Sequence, residues 1–302
     1  MARRTRSWNP IAACAMLTPN DQLYVHYLYA LPGSDYAGLG ISVLVTGKIA
    51  IGNNLSADSA PQLSVSVVSH GHGRMIGELL GDLAGITGVS FEVIITINVP
   101  ESDIGSATQP FPVRIIQNAS PKGFGANHNA AFDVAKGRYY AVVNPDIRAR
   151  NLNLECMLQL FQSDAVGAVG PAVRSSRGLY EDSARRFPTT LSLLRKGFLG
   201  VRQLDYQVPL DAGRPFDVDW LAGMFIVFRR EAFAAARGFD ERFFMYYEDV
   251  DICRRLWTRG WSIVLQPAAV VVHDAQRASH RRLRHMRWHA ASALRYLWRA
   301  YS

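Results

Sequence analysis

The sequence predicts a mainly parallel α/β sheet flanked by helices, followed by a separate amphipathic helix at the C-terminal end. From Leu63 onward, short β-branched runs alternate with stretches of helical periodicity, as in chains of β-α-β connections. Runs such as Val93-Ile94-Ile95 are apolar without alternation, which suits strands covered on both faces. The segments after the runs are rich in glycine, amides and carboxylates, and open α/β sheets bind ligands at the carboxyl ends of their strands.

Taken in order, the first 62 residues carry no motif and read as an N-terminal extension. Within it, 23–31 suits a strand or a short helix, and the polar stretch 53–62, with Pro61 near its end, suits a linker. Residues 63–275 form the main domain. Its strands are expected at 65–68, 93–97, 113–116, 139–143, 225–228, 263–265 and 270–272. Helices are expected near 74–86, 127–136, 153–163, 231–236 and 250–259. Residues 276–302 form the tail.

Composition narrows the class. The chain has 302 residues, 49% of them apolar and 19% charged, which describes a globular protein large enough to bury a substantial core. Cys14, Cys156 and Cys253 are far apart and lack metal-ligand spacing, so a reduced, cytoplasmic compartment is the simplest reading. No run of about 18 uncharged apolar residues predicts a membrane-spanning helix. The net charge of +8 is concentrated near the end, where residues 277–299 hold seven arginines and no acid.

The strand-end loops are where chemistry is expected. Ser69-His70-Gly71-His72-Gly73 follows the first strand and leads into a helix, a backbone that can approach phosphate but is not a P-loop, because no Gly-Lys-Ser/Thr follows. Asn98 follows the second strand. After the third comes Asn118 to Asn129, dense in small residues and amides. Asn144-Pro145-Asp146 ends the fourth strand. It is either a plain turn or an oxygen-rich seat for Mg²⁺ or Mn²⁺ shared with a diphosphate. His273 ends the last strand, as a structural residue or a ligand.

The segment 238–255 gathers five carboxylates, Asp240, Glu241, Glu248, Asp249 and Asp251, among aromatic residues. Val250, Cys253 and Trp257 recur at helical spacing, so Glu248 and Asp249 fall at a helix start. Acids there complement the helix dipole. A carboxylate held beside apolar rings can also have a raised pKa and accept a proton near neutral pH.

Together these segments resemble a family 2 glycosyltransferase of the GT-A fold, close to the bacterial rhamnosyltransferase-like group. The likeness runs over about residues 63–290, through Val67-Val68-Ser69-His70, Gly123 to Asn129, Asn144-Pro145-Asp146, Trp220 to Phe225, Arg229 to Phe233, Gly238 to Glu241, Tyr247 to Asp251, and His273. It implies transfer of a sugar, such as rhamnose or another deoxyhexose, with inversion, from a dTDP- or UDP-linked donor to a saccharide or lipid-linked acceptor in cell-surface polysaccharide synthesis. By position it implies Asp249 as base with Glu248 its neighbour, and Asp146 and His273 at Mg²⁺ or Mn²⁺. It places Ser69, His70, Asn98, Gly123, Gly125, Asn129 and Asn144 at the nucleotide sugar. Trp220, Gly223, Met224, Asp240 and Glu241 fall on the acceptor side. Two positions depart from the pattern: Ile97-Asn98 replaces the acid expected to contact the base, and Asn144 replaces the first acid of the metal motif. Other readings on this scaffold are a hexosyl- or galactofuranosyltransferase and a nucleotide-sugar-binding protein with impaired catalysis.

In the tail, Leu283, Met286, Ala290, Leu294, Leu297 and Tyr301 fall at steps of three and four and predict one apolar helical stripe flanked by arginines. The stripe suits packing on the domain or lying on an anionic membrane at the cytoplasmic face, through 277–301. No nucleic-acid-binding module accompanies the arginines, and no nucleic acid is expected as a partner.

Overall fold

The chain, described here from a computed structural model, divides into two compact units, Met1–Ser59 and Ala60–Ser302. The described residues are 60–101, 108–189, 205–206, 214–273 and 283–301, together with three strands of the first unit. Those strands, β1 (Ala15–Leu17), β2 (Leu23–Tyr27) and β3 (Ile41–Leu44), pair antiparallel in that order. Cys14, the linker at 53–59 and Arg277, Arg281 and Arg282 lie outside the described residues.

The second unit is built on a nine-stranded sheet. Strand β4 (Leu63–Ser69) runs parallel between β5 (Phe91–Ile97) and β7 (Tyr139–Val143), and β6 (Val113–Gln117) continues parallel outside β5. Leu63, Val65 and Val67 of β4 are buried, and each such side chain contributes about 1.5–3 kcal/mol. The intervening serines are buried too, and need partners. Ser64 Oγ donates to Glu92 Oε1 at 2.7 Å, and Ser66 Oγ lies 2.8 Å from His128 Nδ1. Burial lowers the pKa of His128 to about 3, so it is neutral. Both faces of β4 are thus covered from Leu63 to Val67.

The nine-stranded sheet is mainly parallel, since β9 (Val166–Ser175) and β14 (Ser262–His273) run in the same direction as β4 to β7, but it includes antiparallel strands beyond β7. Strand β13 (Phe225–Arg229) lies antiparallel between β7 and β9. It starts at the end of the sheet where β9 finishes, so the chain does not cross over before β13, and the antiparallel direction follows. Strand β9 was not expected, because Gly167, Gly170 and Pro171 interrupt its β-branched pattern. Strand β14 pairs parallel with β9 and joins the two runs expected at 263–265 and 270–272. Its register shifts between Gln266 and Val270, around Pro267, which has no N–H to give the ladder. Two short strands, β8 (Ile147–Arg148) and β11 (Phe216–Asp217), pair antiparallel with β14, and β10 (Ala184–Arg185) pairs with β12 (Trp220–Leu221) outside this sheet.

The helices lie close to their expected places. Helix α1 (Gly73–Ala84) buries Ile76, Leu79, Leu80 and Leu83. Helix α2 (Phe124–Val134) starts three residues before position 127, and α3 (Leu154–Gln159) passes into a 3-10 turn at Leu160–Gln162. Asn153 caps α3 by accepting from Cys156 N at 3.0 Å. Helix α4 (Arg230–Ala235) precedes the acidic segment, and α5 (Glu248–Thr258) begins at Glu248. Buried Arg229, at the end of β13, donates to the carbonyls of Val166, Phe161 and Ser163. Cys156 and Cys253 are buried.

In the tail helix α6 (Leu283–Tyr301) the expected stripe is met in part: Leu297 packs partly buried against the core, Ala290 and Leu294 are exposed, and the side chains of Leu283, Met286 and Tyr301 lie outside the described ones. Among its described side chains Ser292 and Tyr296 are buried, whereas Leu294 is 70% and Trp298 80% exposed. Polar groups with partners take the inner face. Ser292 Oγ donates to Met245 O at 2.9 Å, and the Tyr296 hydroxyl accepts from Arg254 Nη1 at 3.1 Å. A pattern of apolar spacing alone does not foresee that choice.

Candidate active site

The carboxyl ends of β4, β5 and β7 present the loops singled out above. Ser69, fully buried at the end of β4, accepts His72 N on its hydroxyl at 3.1 Å and so shapes the turn into α1. His70 is exposed, with Nδ1 3.3 Å from Asn98 Nδ2. Asn98 sits in an amide cluster: its Oδ1 accepts from Lys122 N and Asn118 Nδ2, and its Nδ2 donates to Lys122 O. Asn118 also donates to Asn127 Oδ1 at 2.6 Å. The amide at the departing position therefore ties the β6–α2 loop to the end of β5.

The glycines of that loop allow close approach. A Cβ on Gly123 would lie 2.6 Å from Phe244 O, and one on Gly125 would lie 2.7 Å from Phe239 Cβ. Phe124 N donates to Phe244 O at 3.0 Å, so the start of α2 is sewn to the acidic segment. Asn129 completes the seam. Its amide donates to Phe239 O and Glu241 Oε1 and accepts from Phe239 N. Glu241 is thereby held by Asn129, while Asp240 is held by a bidentate pair with Arg242 at 2.6–3.1 Å.

At the end of β7, Asn144 N donates to Met224 O at 2.9 Å, which fixes the Asn-Pro-Asp turn against the segment before β13. Asp146 Oδ2 lies 3.1 Å from His273 Nε2, whose Nδ1 lies 2.7 Å from Glu181 Oε2. Burial opposes charge on His273, but its bonds to Asp146 and Glu181 and their charges outweigh burial and raise its pKa to about 9. Asp146 Oδ1 is buried with no partner. His72 is also near enough to feel the charge of Asp146, although burial holds its pKa below the usual histidine value. Glu181, between β9 and β10, was not foreseen from the sequence. Its only local signal is the charged run Glu181-Asp182 … Arg185-Arg186.

A second group forms where α5 begins. Asp249 is half-buried and accepts from Gly223 N at 2.9 Å through Oδ2 and from Val250 N at 2.8 Å through Oδ1. Burial raises its pKa, offset in part by these N–H groups and by the charge of Arg185. Glu248 is buried and its Oε2 has no partner. Burial, and then the charge of Asp249, push its pKa well above the usual glutamate range. Trp220 packs beside them with its indole N–H donating to Arg186 O, and the Arg185 guanidinium stands 5.1 Å over its ring. Asp251 pairs with Arg255 on the same helix at 2.7 Å, a helix-stabilising role. The structure thus brings Asp146 to His273 and Gly223 to Asp249, and joins the two groups through Asn144 and Met224.

A protonatable carboxylate beside a second carboxylate fits proton transfer, and the Asp146 group at a strand end fits an anionic leaving group. Comparison with known proteins decides the family. Residues 61–291 match the model of "Glycosyltransferase like family 2". The chain belongs to glycosyltransferase family 2. It is 28% identical over 244 residues to the rhamnosyltransferase WbbL of Escherichia coli K12, covering 77% of this chain and 91% of that protein. It is 30% identical over 244 residues to an N-acetylglucosaminyl-diphospho-decaprenol L-rhamnosyltransferase of Mycobacterium tuberculosis, covering 72% of this chain and 78% of that one. Among solved structures, a mannosyltransferase of Pyrobaculum calidifontis in complex with GDP-Man and Mn²⁺ is similar with TM-score 0.54 and 19% identity, over 79% of this chain and 65% of that one. GalNAc-T7 with UDP, GalNAc and Mn²⁺ is similar with TM-score 0.50 and 13% identity, over 72% of this chain and 44% of that one. The fold of this family 2 glycosyltransferase is GT-A.

The burial of Glu248 makes a stability prediction. Glu248→Gln is expected to be more stable than the parent enzyme, by a margin that grows with pH. The unfolded chain ionises Glu248 near pH 4.3, whereas the folded protein holds that proton to higher pH. Between those two values the parent loses up to about 1.4 kcal/mol per pH unit, and glutamine has no such loss. Denaturant unfolding of both proteins at pH 5 and pH 8 checks this; an equal difference at the two pH values would refute the raised pKa.

Proposed function

We propose that the enzyme transfers rhamnose, or another deoxyhexose, with inversion from a dTDP- or UDP-linked donor to a hydroxyl of a saccharide or lipid-linked acceptor in cell-surface polysaccharide synthesis. The observation that carries the chemistry is the half-buried Asp249, held by Gly223 N–H and beside Glu248, whose pKa burial pushes well above the ordinary glutamate range. The names of the two rhamnosyltransferase relatives support the sugar and the kind of acceptor.

In this reading Asp249 takes the proton of the acceptor hydroxyl as its oxygen bonds to the anomeric carbon. The bond to the diphosphate breaks on the opposite face, and the diphosphate leaves with the electron pair. Burial and the charge of Asp249 push the pKa of buried Glu248 up, which favours its holding a proton while Asp249 carries the negative charge. Ala222, Gly223 and Met224, partly exposed beside Trp220, line the acceptor side. Asn144 and the 69–73 turn face the donor.

The residues present fit a divalent cation. Asp146 Oδ1 is a buried carboxylate oxygen without a partner, and His273, held between Asp146 and Glu181 with its pKa raised to about 9, would release its Nε2 proton to join the ion. Among the described residues no group of three His, Cys, Asp or Glu side chains is arranged to hold a metal alone, so the donor diphosphate would complete the ligand set. Mg²⁺ or Mn²⁺ there would neutralise charge on the leaving diphosphate. The two structural neighbours solved with Mn²⁺ support this assignment.

No helix among the described residues is long and apolar enough to cross a membrane. The outward Leu294 and Trp298 on the arginine-rich α6 support peripheral contact with an anionic bilayer at the cytoplasmic face. Sugar transfer is measured from a panel of nucleotide sugars to a lipid-linked saccharide in anionic vesicles, with Mn²⁺ and after chelation. A dTDP- or UDP-linked deoxyhexose is expected to be used, with transfer lost on chelation and vesicle binding lost in Leu294→Ser/Trp298→Ser. Turnover confined to hexose donors would replace the rhamnosyl reading, metal-independent turnover would remove the cation, and unchanged vesicle binding would remove the membrane contact.

A further inference from the structure

The residues just before the base adopt an unusual backbone. Tyr246 (φ 71°) and Tyr247 (φ 69°) are consecutive non-glycine residues in the left-handed region. That region is unfavourable for an L-residue by about 1–2 kcal/mol each, so two in succession persist only where the surroundings impose them. They lead directly into Glu248 and Asp249, and their φ values set the direction in which α5 starts.

Phe243 and Tyr247 are buried in the domain core, and the tail adds contacts along the whole turn. Ser292 of α6 donates to Met245 O at 2.9 Å, and Arg295 donates to Arg242 O. The Trp288 ring lies 4.9 Å from that of Phe244. His289 touches both tyrosines, 5.4 Å from Tyr246 and 5.3 Å from Tyr247, and Tyr296 packs 5.6 Å from Tyr247. Tyr296 also accepts from Arg254 on α5, so the tail grips both the turn and the helix that the turn launches. From outside the tail, Phe124 N donates to Phe244 O, and Asp240 accepts from Phe243 N on its carbonyl and from Arg242 N on its carboxylate.

We infer that α6 is a positioning element of the active site: its inner face, through Ser292, His289 and Tyr296, holds the 242–247 turn in its strained form and so sets where Asp249 stands. This rests on Asp249 being the base. It assigns the basic tail a role in turnover separate from any membrane contact, which belongs to the outward face at Leu294 and Trp298.

The test compares full-length Ser292→Ala/Tyr296→Ala with Ser292→Thr and with the outward Leu294→Ala, using a water-soluble acceptor and no vesicles. kcat, donor KM and calorimetric binding of nucleoside diphosphate with Mn²⁺ are read for each. The inner-face double variant is expected to lose about tenfold to a hundredfold in kcat, the scale of a small misplacement of a catalytic group. Its nucleoside diphosphate affinity should stay within about twofold, because the donor loops are intact, a margin of under 0.5 kcal/mol. Ser292→Thr, which keeps the hydroxyl, and Leu294→Ala should keep kcat near the parent. Full kcat in the double variant overturns the inference, and so does a parallel loss of nucleoside diphosphate binding, which marks general loss of structure. Asp249→Asn is measured beside them. If it is fully active, the base assignment fails; if it is inactive while the double variant is fully active, only the role of α6 fails.

Discussion

Asp249→Asn is expected to lower kcat by about two to four orders of magnitude, the usual contribution of a positioned general base, while donor affinity changes little. Asparagine keeps the volume and one acceptor oxygen for Gly223 N–H, so the start of α5 stays in place. What it removes is the ability to take a proton. The pH dependence follows from the same environment. Burial raises the Asp249 pKa, so the acid limb of kcat should lie above the ordinary aspartate value of about 3.9, and activity should rise as pH passes through the raised pKa. The N–H groups of Gly223 and Val250 and the charge of Arg185 oppose that rise. Arg185→Gln should therefore move the acid limb further up. Rate–pH profiles of the parent and both variants decide this. An Asp249→Asn enzyme with the parent kcat, or an acid limb at the ordinary aspartate value, would remove Asp249 from its role.

How far such residues can be read from sequence depends on the physical signal each one leaves. β4, β5 and β7 carry clustered valines and isoleucines buried on both faces, and their positions follow from the sequence pattern. β9 is buried over its first eight residues, but Gly167, Gly170 and Pro171 hide it, and without it the antiparallel placement of β13 is out of reach. Asp146, His273 and Asp249 are legible because each follows a strand or begins a helix, where ligands and dipoles meet. Glu181 and Arg185 are not. They reach the site by tertiary placement, Glu181 across 92 residues to His273, and nothing in their own neighbourhood shows it. Asn98, Asn129, Gly123 and Gly125 are legible as a ligand loop, yet the contacts they make are with the protein itself, in the seams that join α2 to β5 and to the acidic segment. Such seams do not exclude a nucleotide; they explain why amides and glycines stand there before any ligand arrives. The tail shows the same limit, because hydrogen bonding by Ser292 and Tyr296 turns an apparent apolar stripe partly outward.

Asp146→Asn is expected to weaken Mn²⁺ binding by about a hundredfold and to take donor binding down with it. With Asn144 at the position of the first acid, Asp146 is the carboxylate of the turn that can meet a cation, and its Oδ1 is buried without a partner. Substituting an amide keeps the shape but removes the charge that offsets the cost of stripping water from the ion. Glu181→Gln separates direct from indirect contact. Glu181 holds Nδ1 of His273, and loss of such an outer partner typically costs about tenfold to a hundredfold in metal affinity. A smaller loss than in Asp146→Asn is therefore expected from Glu181→Gln. Paramagnetic resonance of free and bound Mn²⁺ reads both losses without relying on turnover, and nucleoside diphosphate titrations with and without metal read the coupling to the donor. Mn²⁺ affinity unchanged in Asp146→Asn would mean that the strand-end turn is only a turn. A loss in Glu181→Gln as large as in Asp146→Asn would instead place Glu181 at the ion itself.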